Sequence, residues 1–558
     1  MLDMPHFTQY VDDTQSVDPL GTAAVIEALY RSIYPGINNA VEFVRVYSAI
    51  CWMVRQIDLA AAKAREPDIA ALSKAGIEKI QLLLTWYNKM QEVPGLAGAD
   101  RRYPEDNRRE TLSFAKMPGN MAARRLEADP DFVVGEGAHF LTAPQYRPSL
   151  VNGMRFLAES SALPGTYRLT TAGEALADGY EAAIAGHPWR DWLADVNKVT
   201  VRRDDVLEMG EMLDLREPSP EEMQAFVAQY YPDDAEVAIG PRWTNRWSGL
   251  TLALRALESE QPYAKDQGTR GVAVSSIRYT MARGYSLAGE RLDLRDIEEV
   301  QGWWANLQLR QYQRLALDTL FRNVSSWIHD ATVDEGPREI QDCADGIGAA
   351  LELALPEEHR QSVSSLVAQL EQLKGAYGSF YEASPFVAPL RLEEMLGQLQ
   401  HVCNFEQRSD EELLALRNSY IALVYCAVEA RNLLSNPYVQ QQFETDRLSL
   451  TTLRGLLERY ENSRPAEFIA HVVQFYVVLL HFSVVQERTY DGRNRFLFML
   501  GDNGLERVAS RGGIGGVGLM ADRLLHALLL LAQCGLVKRY DDGTFALTAA
   551  GRRRLAAG

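Results

Sequence analysis

The chain has 558 residues, 47% of them hydrophobic and 24% charged, with a formal net charge of −18. That length is more than one hydrophobic core serves, and that balance excludes a largely disordered polypeptide. The acidic charge also excludes a protein coated in nucleic acid, so any contact with phosphate backbones has to come from a local basic patch.

The opening residues, Met1-Leu2-Asp3-Met4-Pro5, form neither a basic leader nor an apolar one, which predicts a cytoplasmic protein. Pro35-Gly36-Ile37-Asn38-Asn39 reads as a turn and cap, followed by Val41, Val44, Tyr47, Cys51 and Val54 at helical spacing. A second amphipathic helix is predicted over residues 68–90. From Pro94 to Pro148 the pattern breaks into prolines and glycines, a long irregular connection carrying Arg101-Arg102, Arg108-Arg109 and Arg124-Arg125. Three arginine pairs in an acidic chain suit a phosphate-contacting arm, but Glu105, Asp106 and Glu110 are interleaved with them, which favours solvated loop charges. Residues 149–163 are expected to form a helix, residues 166–169 a strand, and the stretch to Glu181 another helix.

Almost every later segment reads as helix. Ser219-Pro220-Glu221-Glu222 is a capping box with proline at the first helical position. Trp303, Trp304, Leu307, Leu315, Leu320, Val324 and Ile328 mark a long tryptophan-bearing helix. Helices are also predicted after Pro356, after Ser409 and over residues 450–460. Residues 468–485 approach membrane-spanning length, but His471, Gln474 and His481 favour a buried core helix. The five cysteines, at 51, 343, 403, 426 and 534, are far apart and read as buried small hydrophobes.

Residues 519–533 are leucine-rich and close at Gly535, residues 536–540 alternate toward the turn Asp541-Asp542-Gly543, and residues 544–547 return. Thr548-Ala549-Ala550-Gly551 then opens a last helix. A similar phrase occurs earlier, Gly165-Thr166-Tyr167-Arg168-Leu169-Thr170-Thr171-Ala172-Gly173 against Gly543-Thr544-Phe545-Ala546-Leu547-Thr548-Ala549-Ala550-Gly551. Helix, two-stranded ribbon and helix in this order resemble the C-terminal half of a winged helix-turn-helix domain. The resemblance implies DNA contact through Arg523 and His526 on the leucine-rich helix, Lys538 and Arg539 on the ribbon, and Arg552, Arg553 and Arg554 behind it. Winged domains also dock proteins, and leucine-rich helices suit that role, so both uses stay open.

Two other constellations bear on chemistry. Arg322-Asn323, followed by His329 on the same helix face, is similar to the motif of HEPN-type ribonucleases. That likeness would cast Arg322 as transition-state stabiliser, Asn323 as orienting group and His329 as acid/base. Gly513-Ile514-Gly515-Gly516-Val517-Gly518 matches a dinucleotide fingerprint in letters. Only 558 − 541 = 17 residues follow Asp541, too few for the rest of such a sheet, and residues 504–510 read as helix where a strand is required. No lysine-bearing phosphate loop, zinc spacing or nucleophile elbow is present in the sequence, so no metal or cofactor is expected.

The expectation is a mainly α, multi-domain helical scaffold with winged modules near both ends. It divides into residues 1–185 (winged core), 186–335 and 336–486 (helical), and 487–558 (winged). Its expected role is a nucleic-acid-associated adaptor subunit of a bacterial multisubunit complex in DNA maintenance or anti-phage defence, a layout similar to kleisin-type subunits. The alternatives are a HEPN-like ribonuclease and a purely protein-binding scaffold. Expected partners are protein subunits, DNA through the C-terminal module and a second copy of the chain, with no membrane.

Overall fold

The computed structural model describes residues 18–39, 41–65, 67–94, 111–113, 146–198, 200–233, 241–295, 297–334, 338–374, 410–433, 448–488, 496–502, 504–508 and 520–557. Over these residues the chain is mainly helical. It begins with α1 (Ala23–Ile33), α2 (Val44–Lys63), α3 (Ile69–Met90), β1 (Thr111–Ser113), β2 (Leu157–Glu159), β3 (Tyr167–Leu169), α4 (Thr171–Ile184) and β4 (Thr200–Arg202). The middle of the chain gives α5 (Pro220–Tyr230), α6 (Pro241–Asp266), α7 (Val274–Arg283), α8 (Glu298–Asp334), α9 (Ile340–Ala354), α10 (Val363–Lys374), α11 (Asp410–Leu433) and α12 (Leu450–Tyr460). Then follow α13 (Pro465–Val472), a π-helical turn, α14 (Leu479–Arg488), β5 (Phe498–Gly501), β6 (Gly504–Arg507), α15 (Leu524–Gln533), β7 (Val537–Arg539), β8 (Phe545–Leu547) and α16 (Ala549–Ala557). The strands form four antiparallel pairs, β1 with β4, β2 with β3, β5 with β6 and β7 with β8.

Where the sequence suggested four consecutive segments, packing joins distant stretches. One compact unit comprises Met1–Tyr30 and Arg278–Met520, and the other comprises Arg31–Ile277 and Ala521–Gly558.

The first unit is built on α8, which packs on α11, while α9 packs on α13. Its apolar core runs through Leu315, Leu320, Phe321, Val324, Tyr420, Leu423, Ile469 and Val477. The helices Glu412–Arg431 and Pro465–Glu487 are long and apolar enough to cross a membrane by length and composition, but their apolar windows are 78% and 61% buried within the protein. Burial against neighbouring helices accounts for that apolarity, because a helix hydrophobic on most faces is what a core requires. His481, fully buried, has both ring nitrogens engaged. Nδ1 donates to Pro19 O at 3.1 Å, and Nε2 accepts from Leu497 N at 3.3 Å. That pair of bonds requires the neutral ring, and burial pulls its pKa down to about 4. Residues 504–507, expected to be helical, instead form β6. Leu505, Glu506 and Arg507 favour helix locally, but pairing with β5 and the bond from Leu505 N to Arg338 O at 2.6 Å override that preference.

In the second unit α2 packs against α3, α4 and α5. Its polar centre is Glu222, wholly buried. Glu222 accepts from Arg45 Nη2 at 2.8 Å, from Ser48 Oγ and from Ser219 N at 2.7 Å. The predicted capping box is therefore present, and its carboxylate also carries a buried ion pair. The helix expected over residues 149–163 is replaced by a single π turn, Pro148–Gly153, followed by β2. The reason is close backbone approach: a Cβ added at Gly36 would sit 2.7 Å from Gly153 Cα, so the two chains cross where neither has a side chain. Arg155, at φ 56°, then turns the chain into the strand. Cys51, Cys343 and Cys426 are buried and Cys534 is half-buried, all four as free thiols, while Cys403 lies outside the described residues.

Candidate nucleic-acid interface

The repeated phrase is a repeated structure. In the first copy Leu157 faces Leu169 and Glu159 faces Tyr167; in the second Val537 faces Leu547 and Arg539 faces Phe545. Thr170 N donates to Phe156 O, and Thr548 N donates to Leu536 O, both at 3.1 Å. The threonine hydroxyl then closes the ribbon and caps the following helix in each copy. Thr170 Oγ1 donates to Arg155 O at 2.7 Å and accepts from Gly173 N at 3.2 Å, while Thr548 Oγ1 donates to Gly535 O at 2.8 Å and accepts from Gly551 N at 3.0 Å. A Cβ on Gly173 would collide with Phe156 O, and one on Gly551 with Leu536 O. Thus the Thr-x-x-Gly spacing encodes an N-cap and a point of close backbone contact.

The second copy has a further element. Val272 N donates to Phe545 O at 2.8 Å and Phe545 N to Val272 O at 2.9 Å, placing a one-residue strand beside β8. Gly271 permits the approach, since a Cβ there would lie 2.8 Å from Phe545 O. The partners are 545 − 272 = 273 residues apart, and one bridging pair has no periodicity, so nothing in the sequence signals it.

The seven expected contact residues separate into two groups. On α15 the leucines at 524, 528, 529, 530 and 531 are buried, each worth roughly 1.5–3 kcal/mol as core. The helix is therefore held by its packing, with Leu525 its exposed large side chain. Arg523, at its start, donates to Ile37 O, and His526 Nε2 lies 3.5 Å from Glu42 Oε1. Arg554 is also engaged, with Nε on Tyr231 O at 3.1 Å and Nη1 paired with Asp233. Lys538, Arg539, Arg552 and Arg553 are exposed. The Lys538 ammonium sits 5.0 Å from the Tyr540 ring centre, and Arg552 Nη2 is 3.4 Å from Gln261 Oε1. No protein-family model, curated protein or solved structure matches this chain.

The ribonuclease-like residues lie on α8 in the first unit. Arg322 is 7% exposed and acts electrostatically on Asp318, whose carboxyl burial pushes up to about 6 against the opposing pull of Arg314 and Arg322. Asn323 Nδ2 donates to Thr319 O at 3.0 Å, a bond within its own helix. His329 belongs to α8, but its side chain lies outside the described residues, so no convergence of the three is on view. The glycine run 513–518 and the arginine pairs at 101–102, 108–109 and 124–125 also fall outside them. Among the described residues no cluster of His, Cys, Asp or Glu has the grouping a metal ion needs.

Proposed function

We propose that this chain is a nucleic-acid-associated adaptor whose two repeated modules are winged domains of unequal use, the first serving as packing and the second presenting cations to a phosphate backbone. The observation that carries the reading is a charge contrast at matching positions. Lys538, Arg539 and Arg552 stand where the first copy has Ala158, Glu159 and Glu174. Glu159 and Glu174 are consumed internally, in ion pairs with Arg147 and Arg55. In the second copy the equivalent places point to solvent and are joined by Arg553.

Burial of α15 argues for contact through the ribbon and α16 in preference to groove reading. Such contact is with phosphates and is largely indifferent to base sequence. It suits a subunit that holds DNA within a larger assembly, the setting of DNA maintenance or defence. The test is fluorescence anisotropy of a labelled duplex across a salt series, comparing the full chain with a variant carrying Lys538→Glu, Arg539→Glu, Arg552→Glu and Arg553→Glu. Arg554 is left in place because it anchors α16. Loss of the contacts should weaken binding at least roughly tenfold and flatten the dependence of log K on log salt by about 0.9 for each lost phosphate contact. An unchanged slope refutes the reading.

A further inference from the structure

One cavity of the second unit, about 630 Å³, has a wall unlike the rest of this acidic chain. Arg31, Arg155, Arg246 and Arg523 line it together with Asn38 and Asn152, and among the described residues no Asp or Glu does. In a chain with 75 acidic against 57 basic residues, four guanidinium groups around one space are a local concentration of positive charge.

Two of the cations are held in place. Arg246, 1% exposed, donates through Nε to Tyr230 O at 3.0 Å, through Nη2 to Gln229 O at 2.8 Å and through Nη1 to Pro35 O at 3.0 Å. Its charge is thereby fixed at the floor of the cavity. Burial lowers its pKa to about 10, so it stays protonated at neutral pH. Arg523 is tethered to Ile37 O, and Arg31 and Arg155 are exposed at the rim.

Backbone geometry adds an independent argument. Arg155 and Arg523 adopt φ 56° and 67°, the left-handed region that favours glycine. The repeat shows what the ribbon itself asks for at the first of these positions: the counterpart of Arg155 is Gly535, at φ 71°. An arginine there costs the ribbon conformational energy that glycine avoids, and its side chain lines the cavity.

We propose that this cavity binds a phosphate-bearing ligand of about nucleotide size. The exposed guanidinium groups of Arg31 and Arg155 match phosphate oxygens in fork geometry, Arg246 acts beneath them through its charge, and the volume lies within the range of roughly 300–1,000 Å³ common to small-ligand sites. The phosphate of a free nucleotide and that of a nucleic-acid strand end share this chemistry. The inference is independent of the ribbon and α16.

Titration calorimetry of the full chain against inorganic tripolyphosphate, a nucleoside triphosphate, and a short single strand with or without a 5′-phosphate tests it, with sulfate as the control anion. The Arg155→Gly exchange installs the residue its backbone favours, so the variant should fold at least as well as the parent. Combined with Arg31→Gln it should weaken phosphate binding roughly ten- to hundredfold, while the duplex binding tested above is retained. Tightest binding of the triphosphate identifies a free nucleotide as the source, and tightest binding of the 5′-phosphorylated strand identifies a strand end. Absence of binding by all probes, equal binding of sulfate, or undiminished affinity in the double variant overturns the proposal.

Discussion

Replacing Glu222 with alanine should open the second unit at the junction of α2 and α5. The carboxylate is wholly buried and accepts from Arg45 Nη2 at 2.8 Å, from Ser48 Oγ and from Ser219 N at 2.7 Å. Its loss leaves the Arg45 guanidinium, 4% exposed, with its Nη1 bonds to Glu211 O and Asp214 O, both 2.9 Å, but without its carboxylate partner. Breaking one side of a buried pair costs about 3–5 kcal/mol. Spread over an opening equilibrium, that cost multiplies amide hydrogen exchange by between about a hundred and several thousand. Exchange followed by mass spectrometry on peptides from α2 and α5 measures this without requiring the whole chain to unfold in one step. Replacing both Arg45 and Glu222 with methionine should restore most of the protection, because a buried ion pair is often matched by apolar side chains of similar volume. Exchange within about threefold of wild type in Glu222→Ala would show that the pair contributes little and that the reasoning is wrong.

Three other outcomes follow from the same structure. His481 has its folded pKa depressed to about 4 from 6.5, so the unfolded chain binds more protons in that window. Stability of the first unit should be lost as pH falls from 6.5 toward 4, by roughly 3 kcal/mol at the limit, and His481→Gln should remove most of that slope in acid unfolding series. Lys79, fully buried with its ammonium on Trp192 O at 2.7 Å and Asp195 O at 3.0 Å, has its pKa lowered to about 7 by burial. The cost of keeping it charged is relieved as pH rises from 7 toward 10.5, so the second unit should gain stability over that range, and Lys79→Met should flatten the profile. Gly173→Ala and Gly551→Ala meet the same kind of carbonyl oxygen in the two copies and should each destabilise by about 1–3 kcal/mol; calorimetric losses that differ grossly between the two would break the structural equivalence of the ribbons.

The second ribbon and the return strand of the first were legible in the sequence because their signals are local. A glycine in the turn, a threonine that caps and a glycine three residues on each answer to one backbone requirement, and Gly165 and Gly543 take the same left-handed turn at φ 84° and 78°. The capping box at Ser219 was legible for the same reason, whereas the second duty of Glu222, toward Arg45 in another helix, depends on packing that no local pattern encodes. Residues 149–163 misled because the crossing of Gly36 and Gly153 that halts their helix is 117 residues long in sequence, 153 − 36. Arg523, His526 and Arg554 stand out in the sequence as basic candidates, but their partners Ile37 O, Glu42 and Asp233 come from distant segments that only the fold brings alongside.

The split construction of the second unit sets an order of events during synthesis. Val272 emerges from the ribosome long before Phe545, its partner in the narrow strand pair, and the whole of Arg278–Met520 is made in between. Those 520 − 277 = 243 residues take about 12–50 seconds at common elongation rates. Through that interval the amide and carbonyl of Val272, and the Tyr230 hydroxyl that later donates to Ala527 O, await strands and helices not yet translated. Nascent chains stalled before residue 521 should therefore be the ones that chaperones retain.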